Sequence, residues 1–165
     1  MGALKGHFKT TDGLNMPQSF FEIYAHIVFS TKNREQWLDK AIRSRVHAYL
    51  ATVIRNEGCP YVHIGGVEDH VHLLVGLGKQ NVLVDLVGKV KQESSKFVKT
   101  LGERYSGFYW QSGYGAFSVG TGHREEVVSY LDRQTEHHQR NTFQEELRFF
   151  LERAGVAYDE RYMWD

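Results

Sequence analysis

The sequence predicts an α+β fold, because segments with a strand pattern and segments with a helix pattern alternate along its 165 residues. Residues 20–30 (FFEIYAHIVFS) are rich in aromatic and β-branched side chains, which is typical of a strand that is buried on both faces. Residues 39–57 and 82–101 repeat their apolar side chains every three or four positions, which predicts two amphipathic helices. Asp39 and Gly58 have the residue types that begin and end the first of these helices.

The remaining segments complete the order of the elements. They are a strand pair at 61–67 and 70–77, a last strand region at 108–110 and 115–119, and two further helices at 123–138 and 143–153. Glu68 and Asp69 separate the strand pair, so we expect a hairpin there. The whole predicts a ferredoxin-like βαββαβ sandwich, in which an antiparallel sheet has helices on one face and is extended by C-terminal helices.

The composition excludes several classes of protein. Lys and Arg total 20 and Asp and Glu total 20, so the chain cannot present a uniformly basic coat to duplex DNA. The single cysteine, Cys59, excludes a disulfide framework and a cysteine-rich zinc module. No apolar run reaches the ~18 residues of a membrane span and no secretory signal is visible, so we expect a reduced, cytoplasmic protein. We expect residues 1–19 to be unstructured or a leader, and residues 20–165 to form a single domain.

His70 and His72 are the first candidates for chemistry. Strand side chains alternate between faces, so both imidazoles of this His-Val-His sequence point to one face of the predicted strand. Two imidazole nitrogens at that separation can bind one divalent ion, and with oxygen ligands they can support a catalytic magnesium or manganese. The alternative is a pair of histidines on a half-exposed strand face, and the pattern alone leaves both interpretations open.

Tyr130 and Gln134 form the second candidate pair. They are four residues apart on a predicted helix and therefore share one of its faces. Tyrosine can act as a nucleophile, and glutamine offers an oxygen ligand to a metal without adding charge. The alternative is a core tyrosine beside a surface glutamine, which is the commoner arrangement for such a pair.

Charge is distributed unevenly along the chain. Residues 79–104 carry six basic and three acidic side chains, whereas residues 125–165 carry five arginines and ten acidic side chains. The basic segment predicts contacts with a nucleic-acid backbone, and a solvated helix face is the alternative. The side chains that we assign to DNA binding are Lys32, Arg34, Lys89, Lys91, Lys96 and Lys99.

Several segments, in their order along the chain, resemble the single-tyrosine HUH transposases of insertion sequences and their repeat-associated relatives. The segments are HIVFSTKNRE from His26, GGVEDHVHLLVGL from Gly65, LVGKVKQESSKFV from Leu86, YWQSGYGAFSVG from Tyr109, SYLDRQTEHHQRNTFQEELRFFL from Ser129 and YDERYMWD from Tyr158. The resemblance extends from about Tyr24 to Asp165, and its several ordered motifs make it far more specific than His-Val-His alone.

The resemblance implies a role for each candidate residue. His70 and His72 match the histidines that hold a divalent metal, Mg²⁺ or Mn²⁺, and Gln134 matches the glutamine that completes the metal site. Tyr130 matches the catalytic tyrosine. The family also implies a homodimer, in which the tyrosine helix can act on the metal site of the partner.

The implied activity is metal-dependent cleavage and rejoining of single-stranded DNA at hairpin-flanked sites. Tyr130 would attack the scissile phosphate, which gives a 5′-phosphotyrosine and a free 3′-hydroxyl, and the reverse reaction would rejoin the DNA. Two histidines and one neutral amide are a weakly charged ligand set, so we expect the cation to stay electron-poor enough to polarise the phosphate.

Two other classes of function are compatible with parts of the sequence. One is a non-catalytic nucleic-acid-binding module, because a ferredoxin-like sheet is a common scaffold for such binding and a fold alone does not fix activity. The other is a small metalloenzyme that acts on something other than DNA, which His70 and His72 alone would permit. The presence of Tyr130 and Gln134 together with the two histidines favours the transposase.

Overall fold

The computed structural model describes residues 19–137 and 142–164 of the chain. Its strands are β1 (Tyr24–Ser30), β2 (Tyr61–Gly66), β3 (His70–Gly76) and β4 (Gly115–Val119). Its α-helices are α1 (Arg43–Asn56), α2 (Leu83–Lys99), α3 (Arg124–Asp132), α4 (Gln134–His137) and α5 (Phe143–Ala154). Short 3-10 turns lie at Lys32–Arg34, Glu103–Tyr105, Thr121–His123 and Glu160–Tyr162.

The four strands form one antiparallel sheet in the order β2-β3-β1-β4. The central strand β1 pairs along its whole length with β3, so that Val28 lies opposite His72. In the β2–β3 hairpin, Gly65 lies on the other side of His72. This strand order, with α1 and α2 as the two crossovers, confirms the predicted ferredoxin-like plan.

The two faces of the sheet differ in chemistry. One face packs against α1 and α2 in an apolar core, to which the sheet contributes Ala25, Ile27, Phe29, Val71, Leu73 and Val75. The alternate residues of the same strands point to the other face, which α3 and α5 cover. Because both faces are covered, every residue of β1 and β3 is buried, as the predicted two-sided burial of the first strand requires.

Two predicted elements begin later than their sequence pattern indicates. Strand β1 begins at Tyr24, the first residue with a paired neighbour in both β3 and β4, and the apolar side chain of Phe20 is 86% exposed. Helix α1 begins at Arg43 and not at Asp39. The Asp39 carboxylate accepts a hydrogen bond from the backbone N–H of Ala41 at 2.8 Å, so it caps the turn that precedes the helix.

The predicted strand at residues 108–110 is wrong. Trp110 makes only an isolated bridge to Thr31, and the side chains of Phe108 and Trp110 pack in the apolar core. Aromatic residues produce the same pattern in a buried loop as in a strand, because burial and not pairing determines their sequence signal.

The predicted helix at residues 123–138 is interrupted. Helix α3 ends at Asp132, Arg133 leaves helical geometry, and α4 begins at Gln134. Two side-chain contacts stabilise this interruption. The Arg133 side chain donates a hydrogen bond to the Ser129 carbonyl, and the Asp132 carboxylate pairs with His63 of β2 at 2.8 Å. The last residue of the predicted helix lies outside the described residues.

The assignment of residues 1–19 to a segment outside the fold concerns residues that, apart from Ser19, lie outside the described ranges, so it stays a prediction. Within residues 19–137 and 142–164, no helix has the length and apolarity that crossing a membrane requires.

Gly65 allows α3 to approach the sheet beside His72. A Cβ atom at position 65 would lie 2.9 Å from the carbonyl carbon of Leu131 and closer still to its oxygen. Because Tyr130 precedes Leu131 on the same helix, this glycine sets the distance between the tyrosine helix and the histidine strand.

Replacement of Gly65 by alanine should lower the free energy of unfolding by about 1–3 kcal/mol, because the backbone of α3 must move to admit the methyl group. Gly88→Ala is the matched control, since a Cβ at that exposed helical position meets no atom within 4 Å. Alanine in a helix is about 0.5–1 kcal/mol more favourable than glycine, so this control should be stabilised. Urea denaturation followed by circular dichroism measures both, and equal stability of the two variants would contradict the close approach.

Candidate active site

Three histidines meet on the face of the sheet that α3 and α5 cover. His70 and His72 belong to β3 and are fully buried, and His26 belongs to β1 and is 4% exposed. The register places His26 opposite Leu74, two residues along β3 from His72, so all three imidazoles point to the same face. The rings of His70 and His72 have centroids 5.0 Å apart.

Gln134 and Tyr130 reach the same place from the C-terminal helices. The Oε1 atom of Gln134 lies 3.4 Å from Nε2 of His70, and the Gln134 side chain is 1% exposed. The Tyr130 ring has its centroid 5.6 Å from that of His72. The structure therefore brings together the four residues that the sequence nominated for chemistry, although the helix that was expected to carry Tyr130 and Gln134 is interrupted between them.

Glu146 of α5 is a member of this cluster that the sequence analysis did not identify. Its Oε2 atom lies 3.3 Å from Nε2 of His72 and 3.6 Å from Nε2 of His70. The N-terminus of α5 fixes its position, because Thr142 and Glu145 form a reciprocal capping box and Glu146 follows in the first turn.

A signal for Glu146 was present in the sequence. Phe143 and Leu147 are four residues apart and define the buried face of α5, and Glu146 lies on that face between them. An acidic side chain on an apolar helix face requires a buried partner. Near the start of a helix, however, acidic residues commonly serve the helix dipole, so the pattern alone does not separate the two roles.

The donor atoms of the cluster have the spacing of ligands around one ion. Atoms that are ~2.0–2.2 Å from a common metal are separated by roughly 3.0–3.5 Å. The separations that link His70, His72, Gln134 and Glu146 are 3.3, 3.4 and 3.6 Å. The donors of the two histidines and the glutamate all lie within 4.8 Å of one another. This set of nitrogen and oxygen atoms fits a divalent cation, and it adds a carboxylate to the neutral ligand set that the sequence predicts.

Each histidine of β3 also has a partner at its second ring nitrogen. His70 Nδ1 lies 2.7 Å from the Asp69 carboxylate, and His72 Nδ1 lies 2.9 Å from Nε2 of His26. In both residues this leaves Nε2 directed at Glu146. Such partners at the rear of an imidazole fix the ring orientation of metal-binding histidines.

Opposite charges stabilise these buried groups. Burial by itself lowers the pKa of His70, but hydrogen bonds and ionic attraction to Asp69 and Glu146 raise it above its ordinary value. Burial by itself raises the pKa of Glu146, but His70 and His72 lower it well below its ordinary value. The two histidines therefore favour the ionised form of Glu146.

The Tyr130 phenol is held in its protonated form. Burial and then the Glu146 charge raise its pKa above the ordinary value, and the Gln134 side chain opposes this effect only in part. A neutral phenol is a weak nucleophile, so the tyrosine needs an added positive charge or a proton acceptor before it can react.

A cleft of about 710 Å³ opens beside Tyr130 between β4, α3 and α5. Its size falls within the ~300–1,000 Å³ of ligand-binding clefts. Phe149, Arg153 and His123 also line it, and the Phe149 side chain is 55% exposed. Tyr130 is half-buried and lines this cleft together with His26. The side chains of His70, His72, Gln134 and Glu146 are almost fully enclosed behind them.

The family of the chain follows from a match that includes this whole constellation except Glu146. The model described as "Transposase IS200 like" matches residues 19–134, which is most of the chain. The chain belongs to the IS200-like transposase family. Members of this family are enzymes that cleave and transfer DNA strands.

Individual relatives are distant. The ISDra2 transposase TnpA of Deinococcus radiodurans is 21% identical over 119 residues, which are 69% of this chain and 85% of the relative. A crystal structure of a candidate transposase from D. radiodurans R1 is 22% identical, with a TM-score of 0.57 over 76% of this chain and 98% of that one. A REP-associated tyrosine transposase bound to a REP hairpin is 14% identical, with a TM-score of 0.54 over 88% of this chain and 93% of that one. At these identities the structural matches establish the fold.

The lysines of α2 lie apart from the active site of this IS200-like transposase, because α2 packs on the opposite face of the sheet. Lys89 and Lys96 are exposed and flank Glu93, and Lys99 lies over the ring of the exposed Tyr109 at 3.5 Å. The Lys91 ammonium instead donates to three backbone carbonyls, those of residues 111, 112 and 113, at 2.6–3.2 Å.

Lys32 and Arg34 follow the end of β1 that lies nearest the active site. The backbone N–H of Thr31 donates to the carbonyl of Asp69, the residue that contacts His70, and the exposed Lys32 follows directly. Arg34 donates to the backbone carbonyl of Trp164 at 3.3 Å, so its guanidinium contacts the C-terminal tail.

Replacement of Glu146 by glutamine should weaken Mn²⁺ binding at least tenfold, because it removes the only anionic donor of the described cluster while keeping its size. The control is Glu152→Gln, an exposed glutamate on the same helix, which should bind Mn²⁺ as the native chain does. Isothermal titration calorimetry without DNA measures the affinity, and an unchanged dissociation constant for the Glu146 variant would remove it from the ligand set.

Proposed function

We propose that this transposase cleaves and rejoins single-stranded DNA through a 5′-phosphotyrosine at Tyr130, with the help of a divalent cation. The observation that supports this most directly is the position of the Tyr130 ring beside His72, within a cluster whose atoms have the spacing of metal ligands. A non-catalytic binding module would have no need for a tyrosine beside such a cluster.

We propose that His70, His72, Gln134 and Glu146 hold the cation, and that it is Mg²⁺ or Mn²⁺. When bound there, such an ion would offset the charge of Glu146 and of the scissile phosphate and so make attack on phosphorus easier. The contribution of the chain is a rigid and dry site, because the four side chains are no more than 6% exposed.

The reaction at Tyr130 exchanges one phosphoester for another. The phenolic oxygen forms a bond to phosphorus as the bond between phosphorus and the 3′-oxygen breaks, and the proton that the phenol loses is balanced by the one that the 3′-hydroxyl gains. Attack by a 3′-hydroxyl then reverses the step and releases the tyrosine. Because the phosphotyrosine conserves the free energy of the broken phosphodiester, no ATP is required. A phenoxide is a better leaving group than an alkoxide, since the pKa of free tyrosine is only ~10, and this eases the second step.

We propose that single-stranded DNA reaches Tyr130 through the cleft between β4, α3 and α5. The exposed Phe149 offers a stacking surface to a base, Arg153 offers positive charge to the phosphates, and His123 offers a hydrogen-bonding ring nitrogen. One structural relative is bound to a REP hairpin, and we propose that hairpin-containing DNA is the substrate here as well.

We propose that the basic side chains bind the DNA backbone outside the active site. Lys32, Lys89, Lys96 and Lys99 would contact phosphates, whereas Arg34 and Lys91 would act mainly through the tail and the loop that they contact. The homodimer, with the tyrosine helix acting on the partner, stays a prediction. Because Tyr130 already lies beside His72 of its own chain, we propose that one subunit is competent for cleavage.

Tyr130→Phe should abolish the covalent protein–DNA adduct and leave the DNA affinity within about twofold, because the ring stays and only the nucleophilic oxygen is lost. The adduct is measured as a denaturation-resistant shift of a labelled single-stranded hairpin oligonucleotide in the presence of Mg²⁺. Tyr158→Phe, at a surface tyrosine, is the control and should form the adduct normally. An adduct of native yield in the Tyr130 variant would rule out this residue as the nucleophile.

Lys32→Met should change DNA binding, whereas Lys91→Met should change stability. Loss of Lys32 should weaken binding of all single-stranded sequences and reduce the salt dependence by about 0.7 in the logarithmic slope, with little change in stability. Loss of Lys91 should lower the free energy of unfolding by about 1–3 kcal/mol, because three carbonyl acceptors lose their donor. Fluorescence anisotropy at several salt concentrations and urea denaturation measure the two effects, and an unchanged salt slope for Lys32→Met would exclude that contact.

A further inference from the structure

We propose that His26 is a positioning residue that holds the His72 ring so that its Nε2 atom is presented to the metal site. This inference rests on the proposed function, since it assumes that His72 is a metal ligand. Its basis is the short contact between two enclosed imidazoles, in which Nε2 of His26 lies 2.9 Å from Nδ1 of His72.

The two nitrogens of His72 face different partners. Nε2 faces Glu146 at 3.3 Å, and Nδ1 faces His26. An imidazole that binds a metal through Nε2 carries its hydrogen on Nδ1, and that hydrogen needs an acceptor. Nε2 of His26 is that acceptor. Water is a poor substitute, because His26 is 4% exposed and His72 is fully buried.

The position of His26 is itself fixed from several sides. Its ring lies nearly parallel to that of His72, with centroids 5.2 Å apart and an angle of 22° between the planes. The edge of the Phe150 ring meets it at 5.0 Å, and Phe117 and Tyr130 lie at 6.3 Å. A ring enclosed in this way has little freedom to rotate, so its acceptor atom stays in place.

The two β3 histidines are thus oriented by chemically different partners. His70 is held by the Asp69 carboxylate, which adds negative charge behind the ligand. His72 is held by the imidazole of His26, which can be uncharged. In a site that already contains the Glu146 carboxylate, an uncharged partner at His72 orients the ligand without adding a further anion. This difference in charge explains why a histidine, and not an aspartate, suits position 26.

Three variants separate positioning from simple packing. His26→Phe keeps an aromatic ring but removes the acceptor, and His26→Gln places an amide oxygen where it can accept the Nδ1 hydrogen. His47→Phe replaces a half-buried histidine of α1, on the opposite face of the sheet, and is the control. Thermal denaturation establishes that each variant is folded before binding is compared.

Mn²⁺ affinity, measured by calorimetry without DNA, should fall about 10–100-fold in His26→Phe, recover to within about threefold in His26→Gln and stay native in His47→Phe. Native affinity in His26→Phe, or an equal loss in the phenylalanine and glutamine variants, would overturn the proposal. Because no DNA is present, failure of this test is distinct from failure of the tyrosine reaction.

A spectroscopic readout tests the contact directly, even if a variant does not fold. In native protein labelled with ¹⁵N-histidine, a scalar coupling across the hydrogen bond should link Nδ1 of His72 and Nε2 of His26. With Mg²⁺ bound, the hydrogen should reside on Nδ1 of His72. Absence of the coupling, or a hydrogen on Nε2 of His72 in the loaded protein, would overturn the proposal whatever the affinities are.

Discussion

The contact of the Glu146 carboxylate with the imidazoles of His70 and His72 is the interaction on which the catalytic face depends. An ionised carboxylate inside a protein is costly unless positive charge or hydrogen-bond donors face it, and here the two histidines of β3 do so. The same contact joins β3 to α5, which come from distant parts of the chain. Helix α5 therefore contributes a charged side chain to the histidine cluster as well as packing on the ferredoxin-like core.

The two faces of the sheet carry different kinds of side chain. Its α1 and α2 face is an apolar core, and its other face concentrates the buried polar side chains. The period of two along β1 and β3 makes this separation possible within single strands, because neighbouring residues face opposite layers. Basic side chains on α2 are consequently remote from the phosphate chemistry, and Lys91 serves the loop that precedes β4.

The state of Tyr130 fits a nucleophile that is inactive until its site is filled. Its phenol is protonated because burial and Glu146 both raise its pKa, and it faces the cleft from which substrate would arrive. Any positive charge that joins the cluster acts on Glu146 and on the phenol together. Under the proposed function, a cation bound beside Tyr130 would therefore favour its activation.

The sequence by itself determined the order of the elements, the two faces of β3 and the nomination of His70, His72, Tyr130 and Gln134. These follow from local periodicity and from the resemblance of ordered motifs, which require no knowledge of distant contacts. Only the tertiary structure decided that α3 stops before Gln134, that residues 108–110 form no strand, and that Glu146 and His26 join the cluster. The physical reason is that a polar residue on an apolar face has the same sequence pattern whether it caps a helix, fills space or meets a charge from another element. Its partner is known only when strands and helices that are distant in sequence have packed together.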